Sequence, residues 1–348
     1  MRALTVAPGV AGSARLEELA DPVAGPGELL VAGVALGICG TDREIADGVY
    51  GWAAPGQDRL VLGHESLGRV IDAPSGAGFS PGDLVVGTVR LPDPEPCPAC
   101  AAGQPDMCRN GRYTEHGIKA RDGFAAERYT LPAGAAVSVP ASLGDAAVLV
   151  EPASVVAKAW DHIDRIGGRA AWSPRRVLVT GAGPIGLLAA LLAVQRGYEV
   201  HVLDIVAKGP KPALVADLGA TYHHSSPAEA CADADIVVEC TASAGSCSRP
   251  WAAPARPASS ASPASLRGGR DLRVDAEALN RELVLENDVV FGSVNANAGH
   301  YRAAVEALAR ADAGWLARLM TRRVPLSDWS SALRAEEDDV KVVIDLAG

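Results

Sequence analysis

Residues 177–204 read VLVTGAGPIGLLAALLAVQRGYEVHVLD, and the order of signals within them decides the fold. Val177-Leu178-Val179 is an unbroken apolar run, β-branched at both ends, as in a parallel strand covered on both faces. Gly181, Gly183 and Gly186 then spell G-x-G-x-x-G around Ala182, Pro184 and Ile185. In that motif the first glycine permits a tight turn, the second admits a pyrophosphate against bare backbone, and the third lets helix and strand pack closely. A helix over 187–196 should follow, with its free N-terminal N–H groups and its dipole available to phosphate. The next strand, 199–203, leads into Asp204, roughly 20 residues past the glycines, where a carboxylate receives ribose hydroxyls. A mere tight turn would need only the glycines. Strand, helix, second strand and acid in register imply a dinucleotide site built from Gly181, Gly183, Pro184, Ile185, Gly186 and Asp204.

The whole chain, 348 residues with 48% hydrophobic side chains, is long enough for about two domains. Its net charge of -10 argues against a sequence-independent hold on nucleic acid phosphates. No apolar run approaches the roughly 20 residues of a membrane span, and the opening MRALTVAPGV lacks the layout of a signal peptide. The expectation is a cytoplasmic protein with neither nucleic acid nor membrane as partner. Seven cysteines, an odd number with three crowded between Cys97 and Cys108, suit metal thiolates better than a disulfide framework. Residues 1 to about 150 are rich in Gly, Pro and short β-branched runs, which reads as a β-rich domain with long loops.

Two stretches of that domain bear on chemistry. The loop 37–42, GICGTD, sets Cys39 between glycines, and Gly63-His64-Glu65 follows the apolar 60–62. Alone, such a cysteine is usually a small buried hydrophobe, and a loop histidine is usually a surface group. Together, upstream of a dinucleotide motif, Cys, His and carboxylate are the three protein ligands that a catalytic zinc takes while keeping one position open.

In this order, GICGTD, GHES, a cysteine cluster and GAGPIG resemble the zinc-dependent medium-chain dehydrogenase/reductase superfamily over essentially the whole chain. ICGTDREI, DRLVLGHESLG, YTEHGI, VEPASVVAKAW and GSVNAN look most like its glucose 1-dehydrogenase branch. The resemblance implies that Cys39, His64 and Glu151 bind a catalytic zinc. Glu65 is then a neighbouring carboxylate able to hydrogen-bond a ligand or exchange onto the metal, and Thr41 passes the substrate proton toward bulk water. Cys97, Cys100 and Cys108 resemble a structural zinc lobe, which normally uses four cysteines. The missing one falls at Pro94, which cannot ligate, while Asp93 or Glu95 beside it could supply an oxygen, so a filled site and a lobe held by packing alone both stay open. Glu115 is implied as an acceptor from sugar hydroxyls, Thr241 as a neighbour of the cofactor, and Asn295 as a contact near nicotinamide and substrate.

Asp204 is followed by Ile205 and Val206 rather than by arginines, which favours NAD, although Lys208 and Lys211 nearby could neutralise the extra phosphate of NADP. The pattern then fails at 246–266, SCSRPWAAPARPASSASPASL, where four prolines and almost no large apolar residue stand in place of a helix and a buried strand. The interval is expected to form no helix or strand, either as an insert without regular structure or as coding sequence read out of frame. The fold expected is α/β: a β-rich GroES-like catalytic domain over 1–155, rejoined by 294–348, and a Rossmann-type doubly wound parallel sheet over 156–293. The active site is expected in the cleft between them. The function implied is zinc-dependent hydride transfer from a sugar or polyol hydroxyl to NAD(P), in a homo-oligomer, with glucose as the lead substrate. The alternatives are another cyclic polyol, an amino sugar, or a non-catalytic dinucleotide-binding protein damaged at 246–266.

Overall fold

The structure is a computed structural model that describes residues 1–224, 230, 233–241, 259–263 and 276–347. It divides into two compact units, residues 1–154 with 295–348, and residues 155–294.

The hub of the first unit is the eleven-residue strand Glu28–Ile38. Successive side chains of a strand point to opposite faces, and this one alternates half-buried with buried until its last residues, which are all buried. It pairs antiparallel with Glu65–Asp72, Arg128–Pro132 and Val342–Asp345 inside a seven-stranded sheet. Leu4, Leu29, Val31, Leu36, Phe124, Leu131 and Ile344 fill the core that this sheet covers. Two registers position the chemistry. Gly37 pairs with Glu65, and Ile38 pairs with Val342, so residues far apart in the chain meet at the end of the hub strand that leads into Cys39. A Cβ at Gly37 would stand 2.1 Å from Glu65 Oε2, so any larger residue there would displace that carboxylate.

The second unit is a six-stranded, all-parallel sheet: β1 (Arg176–Thr180), β2 (Glu199–Leu203), β3 (Thr221–His223), β4 (Ile236–Glu239), β5 (Ser259–Pro263) and β6 (Val289–Ser293). Their spatial order is β3-β2-β1-β4-β5-β6, the doubly wound arrangement, whose crevice lies at the carboxyl ends of β1 and β4 where the order reverses. The helix after the glycine turn starts earlier than the sequence suggests, at Pro184–Gln195. Proline fits its first position, because that N–H has no helical partner anyway.

One expectation is overturned. Within 246–266, Ser259–Pro263 is a strand, hydrogen-bonded to β4 through Ile236↔Ser259 and to β6 through Ser259↔Val289, so no gap separates those neighbours. A ladder needs backbone N–H and C=O groups, which Ser and Ala supply as well as Val does, and a poor β composition weakens packing rather than pairing. Pro263, which lacks an N–H, occupies the last residue of β5. Residues 246–258 and 264–266 lie outside the described residues. Among the described residues no helix is long and apolar enough to cross a membrane, and Cys39, Cys97, Cys100, Cys108 and Cys240 are free thiols.

Candidate active site

At the end of the hub strand, Cys39, His64 and Glu65 bring one ligand atom each within 4.8 Å of one another. Cys39 caps the helix Gly40–Ala46, and its backbone N–H donates to Asp42 Oδ2 at 2.8 Å, which fixes the turn. Asp42 Oδ1 lies 3.3 Å from His64 Nδ1, so the carboxylate flanks one ring nitrogen and leaves Nε2 as the donor that could face a cation. Burial disfavours charge on His64, but Asp42 and then Cys39 outweigh it and hold its pKa well above the ordinary value. Thr41 sits half-buried in the first turn of the same helix.

The two carboxylates differ in their surroundings. Glu65 is held by the buried Lys341, whose Nζ stands 2.7 Å from Oε1 and 2.5 Å from Oε2 and 3.4 Å from the Ile38 carbonyl. Glu151, in the first turn of Val150–Gly167, is buried. Burial pushes its pKa up to about 7, with His64 and Lys341 lowering it and Glu65 and Asp42 raising it. A buried acid whose pKa burial still raises, beside a Cys–His pair, is a position where a bound cation would favour the charged carboxylate. The residues present therefore fit a zinc ion, and the close cluster is Cys39, His64 and Glu65, of which Glu151 is not a member.

Cys97, Cys100 and Cys108 also converge within 4.8 Å. Backbone N–H groups, that of Arg109 first, pull the Cys97 thiol down to about 6, whereas burial raises Cys100. Of the two oxygen candidates, Glu95 is 78% exposed and bound to Arg112 at 2.7 Å. Asp93 is buried; its Oδ1 accepts from the Glu95 N–H at 2.8 Å, and its Oδ2, sealed from water, has no hydrogen-bond partner among the described residues, with Arg112 Nε 3.5 Å away. Glu115 is likewise buried, with Oε1 accepting from Arg90 Nε at 2.9 Å and from Asn295 Nδ2 at 2.8 Å. Asn295 adopts φ +61°, and its Oδ1 accepts its neighbour's N–H at 3.0 Å, so its amide is already engaged at both ends.

In the second unit Gly181 has φ +88°, and a Cβ there would press on Cys240 and Thr241. At Gly186 a Cβ would stand 1.8 Å from the Gly181 carbonyl oxygen, so no other residue fits. Gly183 caps the helix Pro184–Gln195 and faces open space, leaving bare backbone that a phosphate could approach. Asp204 closes the turn: its carboxylate accepts from Ala182 N–H at 2.6 Å and Val206 N–H at 3.0 Å, and Lys211 Nζ is 3.3 Å away. Thr241 follows β4, its N–H donating to Glu239 at 2.7 Å.

Comparison with known proteins decides the family. A family model described as "Glucose dehydrogenase C-terminus" matches residues 144–346, and one for the alcohol dehydrogenase GroES-like domain matches 25–141. The chain belongs to the glucose dehydrogenase branch of the medium-chain dehydrogenase/reductase superfamily. Among its relatives, a glucose 1-dehydrogenase of Methanocella arvoryzae is 37% identical over 99% of both chains, and glucose 1-dehydrogenase 2 of Vulcanisaeta moutnovskia is 38% identical over 99% of both. Haloferax mediterranei glucose dehydrogenase, solved in complex with NADP, Zn and gluconolactone, superposes with a TM-score of 0.92 at 31% identity over the full length of both chains. Within this glucose dehydrogenase fold, sequence reading missed Asp42, Arg90 and Lys341. Asp42 had a signal, as the acid of GICGTD itself, whereas Arg90 and Lys341 become legible only once the strand registers are known.

Proposed function

We propose that this protein oxidises a sugar hydroxyl with NAD(P), with glucose at C1 as the lead substrate and another cyclic polyol or an amino sugar as alternatives. The carrying observation is the cluster of Cys39, His64 and Glu65, with the buried Glu151 near enough for the charge of His64 to act on it, in a chain that matches glucose dehydrogenases from end to end. The non-catalytic alternative rested on a missing strand, and β5 removes that ground.

In this reading Cys39, His64 and Glu151 hold zinc, and Glu65 stands beside it, balanced by Lys341. Zinc held by these residues would act as a Lewis acid toward the substrate hydroxyl, and NAD(P) would be the hydride acceptor. The substrate loses a proton from oxygen and a hydride from carbon, and the hydroxyl becomes a carbonyl. Thr41 Oγ1 takes the proton onward to solvent, and Asp42 keeps the His64 ring in place. Glu115 accepts from a sugar hydroxyl through Oε2, and a site of this kind can reject an analogue lacking that hydroxyl by up to roughly 10⁴-fold. Asp93 completes a second zinc site with Cys97, Cys100 and Cys108. The protein acts in the cytoplasm, where these thiols stay reduced, and assembles with copies of itself.

The test is a panel of sugars and polyols with NAD and with NADP on the zinc-loaded protein, followed at the absorbance of reduced nicotinamide. Reduction with glucose or a close relative is expected, and no reduction with any member rules the reading out.

The cofactor preference has its own test. Lys211 offsets the charge of Asp204, so the 2′-phosphate of NADP meets a neutralised pair rather than a bare acid. Lys211→Ala should lower kcat/KM for NADP about tenfold, the loss of one partly exposed charge contact, while NAD is unaffected or improved. Equal losses with both cofactors would show that Lys211 only supports the turn.

A further inference from the structure

The buried Arg90 has no role in the functional reading so far, yet it makes more directed contacts than any other side chain around Glu115. Its guanidinium donates to Glu115 Oε1 from Nε at 2.9 Å, with Nη2 at 2.8 Å, and Nη1 donates to the Asp106 carbonyl at 3.1 Å. Its plane lies over the Tyr113 ring, 3.8 Å from the centroid, and Lys119 Nζ stands 4.0 Å from that centroid. Asn295 Nδ2 approaches the same Oε1 at 2.8 Å. Three donors thus converge on one oxygen of Glu115. Oε2 receives none among the described residues, yet it is not sealed from solvent as Asp93 Oδ2 is.

We propose that Arg90 is the positioning residue for sugar recognition: it fixes the Glu115 carboxylate so that Oε2 alone is presented to a substrate hydroxyl. The inference rests on the sugar-oxidising reading above and deepens it. A carboxylate on a free side chain rotates and offers either oxygen to water, whereas one locked through Oε1 presents a single acceptor in a fixed direction. The anchors on either side of Arg90 explain the lock. Asp106 lies two residues before Cys108, so the far end of the guanidinium is tied to the cysteine lobe. On the near side, Tyr301 Oη accepts the N–H of Val89, the residue before Arg90, at 3.2 Å. Only a planar fork can bond Glu115 and Asp106 and stack on a ring at once, and lysine cannot replace it.

Arg90→Lys and Arg90→Ala should therefore raise KM for the sugar about 10- to 100-fold, the range for one charge-assisted hydrogen bond, and change kcat much less. KM for NAD(P) and the zinc content should stay at wild-type values, which separates positioning from a general loss of structure. Guanidinium ion added to Arg90→Ala should restore part of the sugar affinity, and ammonium should not. An unchanged sugar KM in Arg90→Lys, or zinc loss with a matching fall in kcat and no guanidinium rescue, would overturn the proposal. A wild-type protein that reduces NAD(P) with no sugar overturns the functional reading, and this inference with it. A wild-type that is active while Arg90→Lys matches it overturns this inference alone.

Discussion

Cys39→Ala should cut sugar-dependent reduction of NAD(P) by about a thousandfold or more in kcat and leave dinucleotide binding intact. The magnitude follows from the Lewis-acid role, worth several kcal/mol of transition-state stabilisation, with each 1.4 kcal/mol a factor of ten. The separation follows from the fold, because the glycine turn, Asp204 and Thr241 all belong to residues 155–294 and the thiol does not. The substitution keeps the bond from the Cys39 backbone N–H to the Asp42 carboxylate, which is half of the reciprocal cap at this turn, and loses only the contact of the Asp42 backbone N–H with the Cys39 side chain. Metal analysis gives the second readout. Wild type should carry two zinc ions per chain and Cys39→Ala one, whereas Asp93→Ala should lose only the ion of the lobe and keep turnover. Full activity in a metal-free preparation, or in Cys39→Ala, refutes the zinc reading.

What could be read in advance follows the range of the interactions. Local patterns were legible: β2 runs Glu199–Leu203 as expected, and the G-x-G-x-x-G glycines meet the steric demands that their spacing implied. Pairings across the chain were not. The partner of Glu65 is Lys341, brought to it only because Val342–Asp345 pairs with the end of the hub strand, and no spacing rule spans 276 residues. Glu115 and Asn295, both expected on the sugar, bond each other across 180 residues, so one of the two is occupied before any ligand arrives. The misjudged strand β5 shows the opposite weakness. Composition argues against a central strand, but composition governs side-chain packing, and two parallel neighbours with free ladder groups can pair a Ser/Ala backbone as readily as a Val/Ile one.

The first unit should lose stability in acid through one histidine that touches neither proposed metal site. His116 is buried, its ring stacked on Phe124 at 4.6 Å, and among the described residues the ring makes one hydrogen bond, Nδ1 donating to the Asp122 carbonyl at 2.9 Å in the neutral tautomer. Nε2 is sealed and has no partner among the described residues, so a second proton would be buried without an acceptor. Burial, reinforced by Arg121 and only partly offset by the Asp122 carbonyl, lowers its pKa to about 3. The sign is that of a depressed base. Above the unfolded value of about 6.5 both states are neutral and nothing is lost, whereas below it the unfolded chain binds a proton that the native state refuses until about pH 3. Across that window the cost grows by roughly 1.4 kcal/mol per pH unit, on the order of 3 kcal/mol by pH 4.5. His116→Gln keeps a donor for Asp122 and cannot titrate. Denaturant unfolding at pH 7 and at pH 4.5 should therefore show the variant losing about 2–3 kcal/mol less than wild type on acidification, even where its stability at pH 7 is lower. Both proteins carry the same zinc ligands, so the titration of those ligands cancels in the comparison. Parallel acid losses in the two proteins would mean that His116 already accepts its proton in the native state.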